Sequence, residues 1–307
     1  MTTGFIYHPA CLTHDMGPEH PESPARLSAI IEQLERSPLW QELDIYTAHR
    51  AEDRHLLAIH HPRYLEQIKL LAPQHGLIHA GPDTAMSPGS IEAAYRAAGS
   101  GVQAVDGIMN HFYQNAFCAT RPPGHHAEPA TTMGFCFFHN LGVAARYLRQ
   151  TYHIKRICVI DFDVHQGNGT VEIFRDDPDV LFLSSFQHPF YPNSHWQAQH
   201  PHMKFAPLEA DTDGTEIRRI WQDEWRHAIR EHQPEFFFIS AGFDAHTDDP
   251  LGELNWTTED FRWLTESIKA EADKLAQGRI ISFLEGGYDV HALADCVEAH
   301  IGALMGR

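Results

Sequence analysis

The stretch Arg156-Ile-Cys-Val-Ile-Asp161-Phe-Asp163-Val-His165-Gln-Gly-Asn168-Gly169 decides how the rest of the chain is read. Its first half, Ile157-Cys-Val-Ile160, is apolar at every position, the pattern of a central strand buried on both faces. Its second half sets Asp161, Asp163 and His165 at alternate positions, with Phe162 and Val164 between them. In an extended segment, side chains at i, i+2 and i+4 share one face. The three polar groups therefore point one way and the two apolar ones into a core. Phe236-Phe-Phe-Ile-Ser240 is a second buried run, and Asp244 follows it closely.

Further runs rich in β-branched and aromatic residues predict strands over 4–7, 44–47, 116–120, 156–161, 180–184, 235–240 and 279–284. Helical periodicity predicts helices over 88–109, 140–151, 215–232, 257–277 and 289–305. In the third of these Ile217, Trp221, Trp225 and Ile229 recur every four residues. Strand followed by helix, repeated, predicts an α/β fold with a mainly parallel sheet covered on both faces. With no repeat, low-complexity tract or Gly/Ser linker, residues 1–307 read as one domain.

Ligands of such sheets bind outside the carboxyl ends of the strands. Four polar motifs sit at predicted strand ends: Arg121-Pro-Pro-Gly-His125-His126, Asp161 to His165, Asp244, and Leu284-Glu-Gly-Gly-Tyr288. Asp163, His165 and Asp244 form a mixed carboxylate and imidazole set. It suits zinc with an open position for water, and admits iron(II), cobalt or manganese. Taken singly, these residues would also serve as a strand-end turn and a helix cap. Adjacent histidines are useful when their partners differ. Asp161 would raise the pKa of one, and the neutral amide of Asn168 would leave the other near its ordinary value. Tyr288, after a glycine turn, is placed to donate to a developing oxyanion. Gly134-Phe135-Cys136 and Phe190-Tyr191-Pro192 supply aromatic walls for a narrow channel. Such a set is built to hydrolyse an unactivated amide.

The net charge, 23 basic against 41 acidic residues for −18, disfavours a nucleic-acid backbone as a direct partner. No apolar run reaches the roughly 18 residues of a membrane span, and the amino terminus lacks the basic and apolar regions of a secretory signal. Cys11, Cys118, Cys136, Cys158 and Cys296 are odd in number with no C-x-x-C pair, which predicts a reducing, cytoplasmic setting.

These motifs resemble the histone deacetylase superfamily, in its class II and bacterial amidohydrolase branch. The resemblance runs from His20-Pro-Glu-Ser-Pro-Ala-Arg26 to Glu285-Gly-Gly-Tyr288 and rests also on Gly134-Phe-Cys136 and Ala241-Gly-Phe-Asp-Ala245. Asn168 and Glu285 resemble the class II branch and its bacterial relatives rather than class I. The resemblance implies a three-layer arginase/deacetylase-like fold with a sheet of roughly eight strands. It implies Asp163, His165 and Asp244 as zinc ligands and His126 as general base and acid. His125, held by Asp161, is the electrostatic partner, and Tyr288 polarises the acetyl carbonyl. Phe135 and Tyr191 would flank the substrate stem beside Gly134, with Leu251 and Asp83 at the rim. A structural potassium or sodium ion would take Asp161, Asp163, His165, Ser184 and Ser185, and a second would take Phe174, Asp177 and Val180.

The resemblance thus implies deacetylation of acetyl-lysine in proteins or peptides. An acetylpolyamine or other small amide is the rival substrate, and a catalytically silent acetyl-lysine-binding protein the rival outside enzymes. A two-manganese ureohydrolase is a third reading, weakened because Asp163-Val-His165-Gln-Gly167 offers no further carboxylate. Whether copies of the chain associate is open. Three departures concern the channel mouth. Phe186 stands where many relatives carry histidine, Asn193-Ser194-His195 replaces glycine-threonine-glycine, and His139 replaces asparagine. Leu251 takes the place of the acidic residue of a polyamine-selective relative.

Overall fold

Residues 2–197 and 200–307 are described by the computed structural model. The strands are β1 (Thr3–Tyr7), β2 (Leu43–Thr47), β3 (Ile78–His79), β4 (Ala85–Met86), β5 (Asn115–Cys118), β6 (Ile157–Asp161), β7 (Val180–Gln187), β8 (Met203–Leu208), β9 (Phe236–Ala241) and β10 (Ile280–Leu284). The helices are α1 (Pro24–Arg36), α2 (Asp53–Leu57), α3 (Pro62–Leu71), α4 (Ser90–Met109), α5 (Asn140–Tyr152), α6 (Asn168–Phe174), α7 (Gly214–Ile220), α8 (Arg226–His232), α9 (Thr258–Leu275) and α10 (Val290–Met305).

Eight strands form one sheet in the order β2-β1-β5-β10-β9-β6-β7-β8. Every neighbouring pair is parallel. Alternation along the strands splits the core in two. Phe5, Phe117, Ile160, Leu183, Phe237 and Ile239 pack beneath α1, α7 to α10 on one face. Ile6, Ala116, Val159, Phe182, Phe238 and Ile281 pack beneath α4, α5 and α6 on the other. The three-layer α/β/α architecture expected from the sequence is the one observed. Strands β5, β10, β9, β6 and β7 are contiguous in the middle of the sheet. Their carboxyl ends therefore bring the distant polar motifs together.

All seven predicted strands are present, with ends shifted by a few residues. The edge strand β8 escaped prediction because Met203-Lys-Phe-Ala-Pro-Leu208 mixes exposed and buried positions and carries a proline, which an edge tolerates. The antiparallel β3–β4 hairpin, whose turn presents Asp83, is too short to leave a pattern. Helices α1, α2, α3 and α6 were not predicted either. The helix expected over 215–232 is interrupted by a π-helical turn at Trp221–Trp225. A spacing of four drifts around an ordinary helix of about 3.6 residues per turn. The wider turn absorbs the drift and keeps Ile217, Trp221, Trp225 and Ile229 all buried. No described helix is long and apolar enough to cross a membrane.

Candidate active site

The extended reading of Asp161 to His165 needs one correction. β6 ends at Asp161, and the residues after it bend. The Asp161 carboxylate accepts from the Asp163 backbone N–H at 3.1 Å, and Asp163 accepts from the His165 N–H at 2.9 Å. These side-chain turns replace the strand ladder. The alternation survives: Phe162 and Val164 enter the core, His165 lines the cavity and Asp163 lies buried against His165.

One donor atom each from Asp163, His165 and Asp244 lies within 4.8 Å of the others. His165 Nδ1 is 3.1 Å from both Asp163 Oδ1 and Asp244 Oδ2. The other carboxylate oxygens are fixed by backbone donors, Gly286 N to Asp163 Oδ2 and Val164 N to Asp244 Oδ1, each at 2.8 Å. His125 and His165 hold Asp163 ionised despite its burial. Burial and the charge of Asp163 push Asp244 up to about 7. Burial opposes a charge on His165, but Asp163 and Asp244 raise it to about 10. Two buried carboxylates and one imidazole nitrogen offer a mixed oxygen and nitrogen donor set to a cation between them. A divalent ion with bonds of about 2.0–2.2 Å fits atoms so spaced, so the donor set fits a resident metal.

The two histidines diverge as their partners differ. His125 Nδ1 meets Asp161 Oδ2 at 3.0 Å, and its backbone N–H donates to Glu285 Oε2 at 3.1 Å. Burial works against its charge, but Asp163 and Asp161 push it up to about 10. His126 Nδ1 lies 2.7 Å from Asn168 Oδ1. Burial, then the positive His125, holds His126 well below the ordinary histidine range. The amide oxygen of Asn168 accepts, so Nδ1 carries the proton and Nε2 keeps a lone pair.

His126 and His165 line a cavity of about 450 Å³ with Asp83, Gly134, Phe135, Phe190, Tyr191, Leu251, Glu253 and Tyr288. Phe190 stacks on His165 at 5.4 Å, and Tyr191 stands edge-on to His126 at 5.2 Å. Asp83 accepts from Gly134 N at 3.0 Å and from the Tyr191 hydroxyl at 2.8 Å. Burial keeps the Tyr288 phenol well above its ordinary pKa, so it remains a donor.

Several residues behind the site carried no predicted role. Asp249 accepts from Tyr288 N at 2.6 Å and from Leu251 N at 2.9 Å, tying the tyrosine turn to the rim. Arg26 donates to the carbonyls of Gly287 and Glu285 at 2.6 and 2.5 Å and lies over the Tyr288 ring. Arg26 and Arg121 share the buried carboxylate of Glu22. In sequence these residues look like ordinary turn and helix residues, and only their burial marks them.

Ser184, beside Asp161 in the sheet register, has a buried hydroxyl without a partner. That orphan suits the first monovalent-ion site. At the second, the Asp177 carboxylate pairs with Arg149, and the Phe174 and Asp177 carbonyls accept from Asp177 N and Val180 N. The departures also have places. Phe186 packs against Phe205, away from the cavity. His139 caps α5, accepting from Gly142 N at 2.8 Å. Asn193 and His195 hold φ of 52° and 59°, so the left-handed backbone suited to glycine persists without it.

Fold and site are those of a metal-dependent amidohydrolase. A family model described as the histone deacetylase domain matches residues 20–304. The chain is 31% identical over 313 residues to a probable deacetylase of Archaeoglobus fulgidus, covering 99% of this chain and 86% of that protein. It is 34% identical over 311 residues to histone deacetylase 14, chloroplastic, of Arabidopsis thaliana, covering 94% and 73%. The crystal structure of the HDA15 HD domain superposes with a TM-score of 0.92 at 28% identity, covering 100% of this chain and 88% of that one. The chain belongs to the histone deacetylase family.

The glycines around the metal ligands yield a test. A Cβ at Gly286 would collide with Asp244 Oδ2 and come within 2.7 Å of Asp163 Oδ2. Gly286→Ala is expected to weaken metal binding by at least about tenfold, the scale of disturbing a ligand's supporting shell, with helix content unchanged. Competition with a chromogenic chelator measures it, and parental affinity would contradict the assignment.

Proposed function

We propose that the chain hydrolyses the N-acetyl amide of a primary amine, acetyl-lysine in proteins or peptides, and releases acetate. Residues 1–307 act as one catalytic domain with zinc as the resident ion, iron(II) being the alternative that the same donors accept. The observation that carries the reading is convergence: the Asp163–His165–Asp244 set, the free Nε2 of His126 and the Tyr288 phenol meet around one aromatic-walled cavity.

When bound there, zinc supplies Lewis acidity, acidifying water and polarising the amide carbonyl. His126 Nε2 accepts a proton from water as its oxygen attacks the carbonyl carbon. The Tyr288 hydroxyl donates to the carbonyl oxygen as negative charge develops there. His126, now an imidazolium, returns the proton to the amide nitrogen as the C–N bond breaks. Acetate and a free amine result. His125, kept cationic by Asp161 and Asp163, offsets the carboxylates beneath the site. Gly134, Phe135 and Tyr191 flank the methylene stem. Asp83 receives a substrate N–H at the rim, and Leu251 closes the opposite side. Asp161 and Ser184 would hold a potassium or sodium ion beneath the site, which would add positive charge beside the carboxylates.

One observation favours the acetylpolyamine reading. Glu253, on the cavity wall, has its carboxylate held by Gln187 at 2.6 Å and no ion-pair partner among the described residues. A kcat/KM comparison of acetyl-lysine peptide with acetylspermidine separates the two.

Chelator-stripped protein is expected to be inactive on a fluorogenic acetyl-lysine peptide and to recover with one equivalent of zinc. Inactivity with zinc demonstrably bound overturns the reading. Tyr288→Phe should lower kcat by about 10² or more, as loss of one oxyanion donor does; unchanged turnover removes Tyr288 from the mechanism. The acid limb of kcat/KM should lie below 6.5, the ordinary histidine value, because burial and His125 keep His126 neutral. Activity then persists as pH falls through 6.5 and is lost only as His126 protonates. A limb above that value would assign the base elsewhere.

A further inference from the structure

The amide of Asn168 is itself held from outside the cavity. Its Nδ2 donates to Glu128 Oε1 at 2.8 Å and to the His126 carbonyl at 3.2 Å. Met133 Sδ lies at 3.1 Å as a weaker third acceptor, and Glu128 gives the shortest of the three contacts, so turning the amide over would set Oδ1 against a carboxylate and a carbonyl. Its oxygen is thereby kept on His126 Nδ1, at 2.7 Å. Which nitrogen of a histidine carries the proton is set by the partner of the other nitrogen. The carboxylate that fixes Asn168 therefore also fixes His126.

We propose that Glu128 is a positioning residue which, through Asn168, locks His126 in the Nδ1–H tautomer and keeps the Nε2 lone pair on the cavity. The proposal rests on His126 being the proton-transfer group of the deacetylase reading. Three features support it. The Glu128 side chain is only 26% exposed. His195, in the loop that departs from the family pattern, lies 3.9 Å from Glu128 Oε1 and 3.5 Å from Glu172 Oε1. A second contact thus reaches the same Glu128 oxygen that accepts from Asn168. The local fold does not need the side chain: Glu128 N donates to Thr131 O at 3.1 Å, its carbonyl meets His60 Nδ1 at 3.2 Å, and His61 N donates to Pro129 O at 2.8 Å. Removing the carboxylate leaves those backbone anchors in place.

The test uses the full zinc-loaded chain with Glu128→Ala and Glu128→Gln. Steady-state turnover of an acetyl-lysine peptide is combined with ¹⁵N ring shifts of histidine-labelled protein. The His126 signals are assigned by their loss in His126→Phe. Glu128→Ala is expected to lower kcat by about 10-fold or more with KM held within about twofold, the range for losing an orienting partner. Its His126 ring should pass from Nδ1–H to a mixture of tautomers. Glu128→Gln, whose amide oxygen still accepts from Asn168, should recover most of kcat and the parental ring signals. An unchanged His126 tautomer in Glu128→Ala overturns the proposal, whatever happens to turnover. Equal losses in the two variants also overturn it, because charge rather than the acceptor would then be at work. If the parent protein turns over no acetylated amine, the deacetylase reading falls, while the ring signals still decide the role of Glu128.

Discussion

Buried negative charge at the middle of the sheet is the constraint on which the site depends. Asp161, Asp163, Asp244 and Glu285 are all fully or almost fully buried at the ends of β6, β9 and β10. Isolated charges there would cost several kcal/mol each. The structure offsets them in three ways. Backbone N–H groups of Gly124, His125, Asp163, Val164, His165 and Gly286 donate to the carboxylates. His125 brings a cationic ring. His165 sets a second ring against Asp163 and Asp244, where the three residues could hold a metal ion. The candidate metal donor set is thus built from the same buried carboxylates.

The burial of these carboxylates explains the glycines. Backbone can approach a carboxylate closely only where no Cβ intervenes. Gly242 and Gly286 sit against the Asp163 and Asp244 side chains, and a Cβ at either would collide with them. The turn bearing Tyr288 follows directly, so glycines that let the backbone reach the ligands also place the phenol on the cavity. Behind that turn Arg26 and Asp249 grip its backbone from two sides. A second buried acid, Glu22, in turn holds both Arg26 and Arg121. Each buried charge is answered by another element, which links distant parts of the chain.

The central strands and the chemistry were legible because both leave dense local signals. A run such as Phe236-Phe-Phe-Ile can belong only to a buried element, and Asp161, Asp163 and His165 alternate too regularly to be a solvated face. The partners of the two histidines, Asp161 and Asn168, were legible because they lie in the same short stretch. Glu128, Asp249 and Arg26 were not given roles, although each lies in or beside a quoted motif. Their work is done through backbone atoms or a second side chain, which composition and spacing do not encode. Edge strand β8 and the short hairpin carrying Asp83 failed for another reason: partial exposure erases the alternation that burial imposes.

The adjacent histidines show what the fold adds to the sequence. His125 and His126 are identical in chemistry, neighbours in the chain, and have ring centroids 3.9 Å apart. Two cationic rings at that distance would repel strongly in a buried site. Charging one therefore keeps the other neutral, and the partners decide which. Asp161 stabilises the charged form of His125, while the oxygen of Asn168 supports a neutral His126 with its proton on Nδ1. The proposed hydrolysis would use that division, with one ring to stabilise charge and one to carry a proton out and back. The dipeptide alone cannot specify it. A parallel sheet that brings the ends of β5 and β6 to the same place, with α6 starting at Asn168, does.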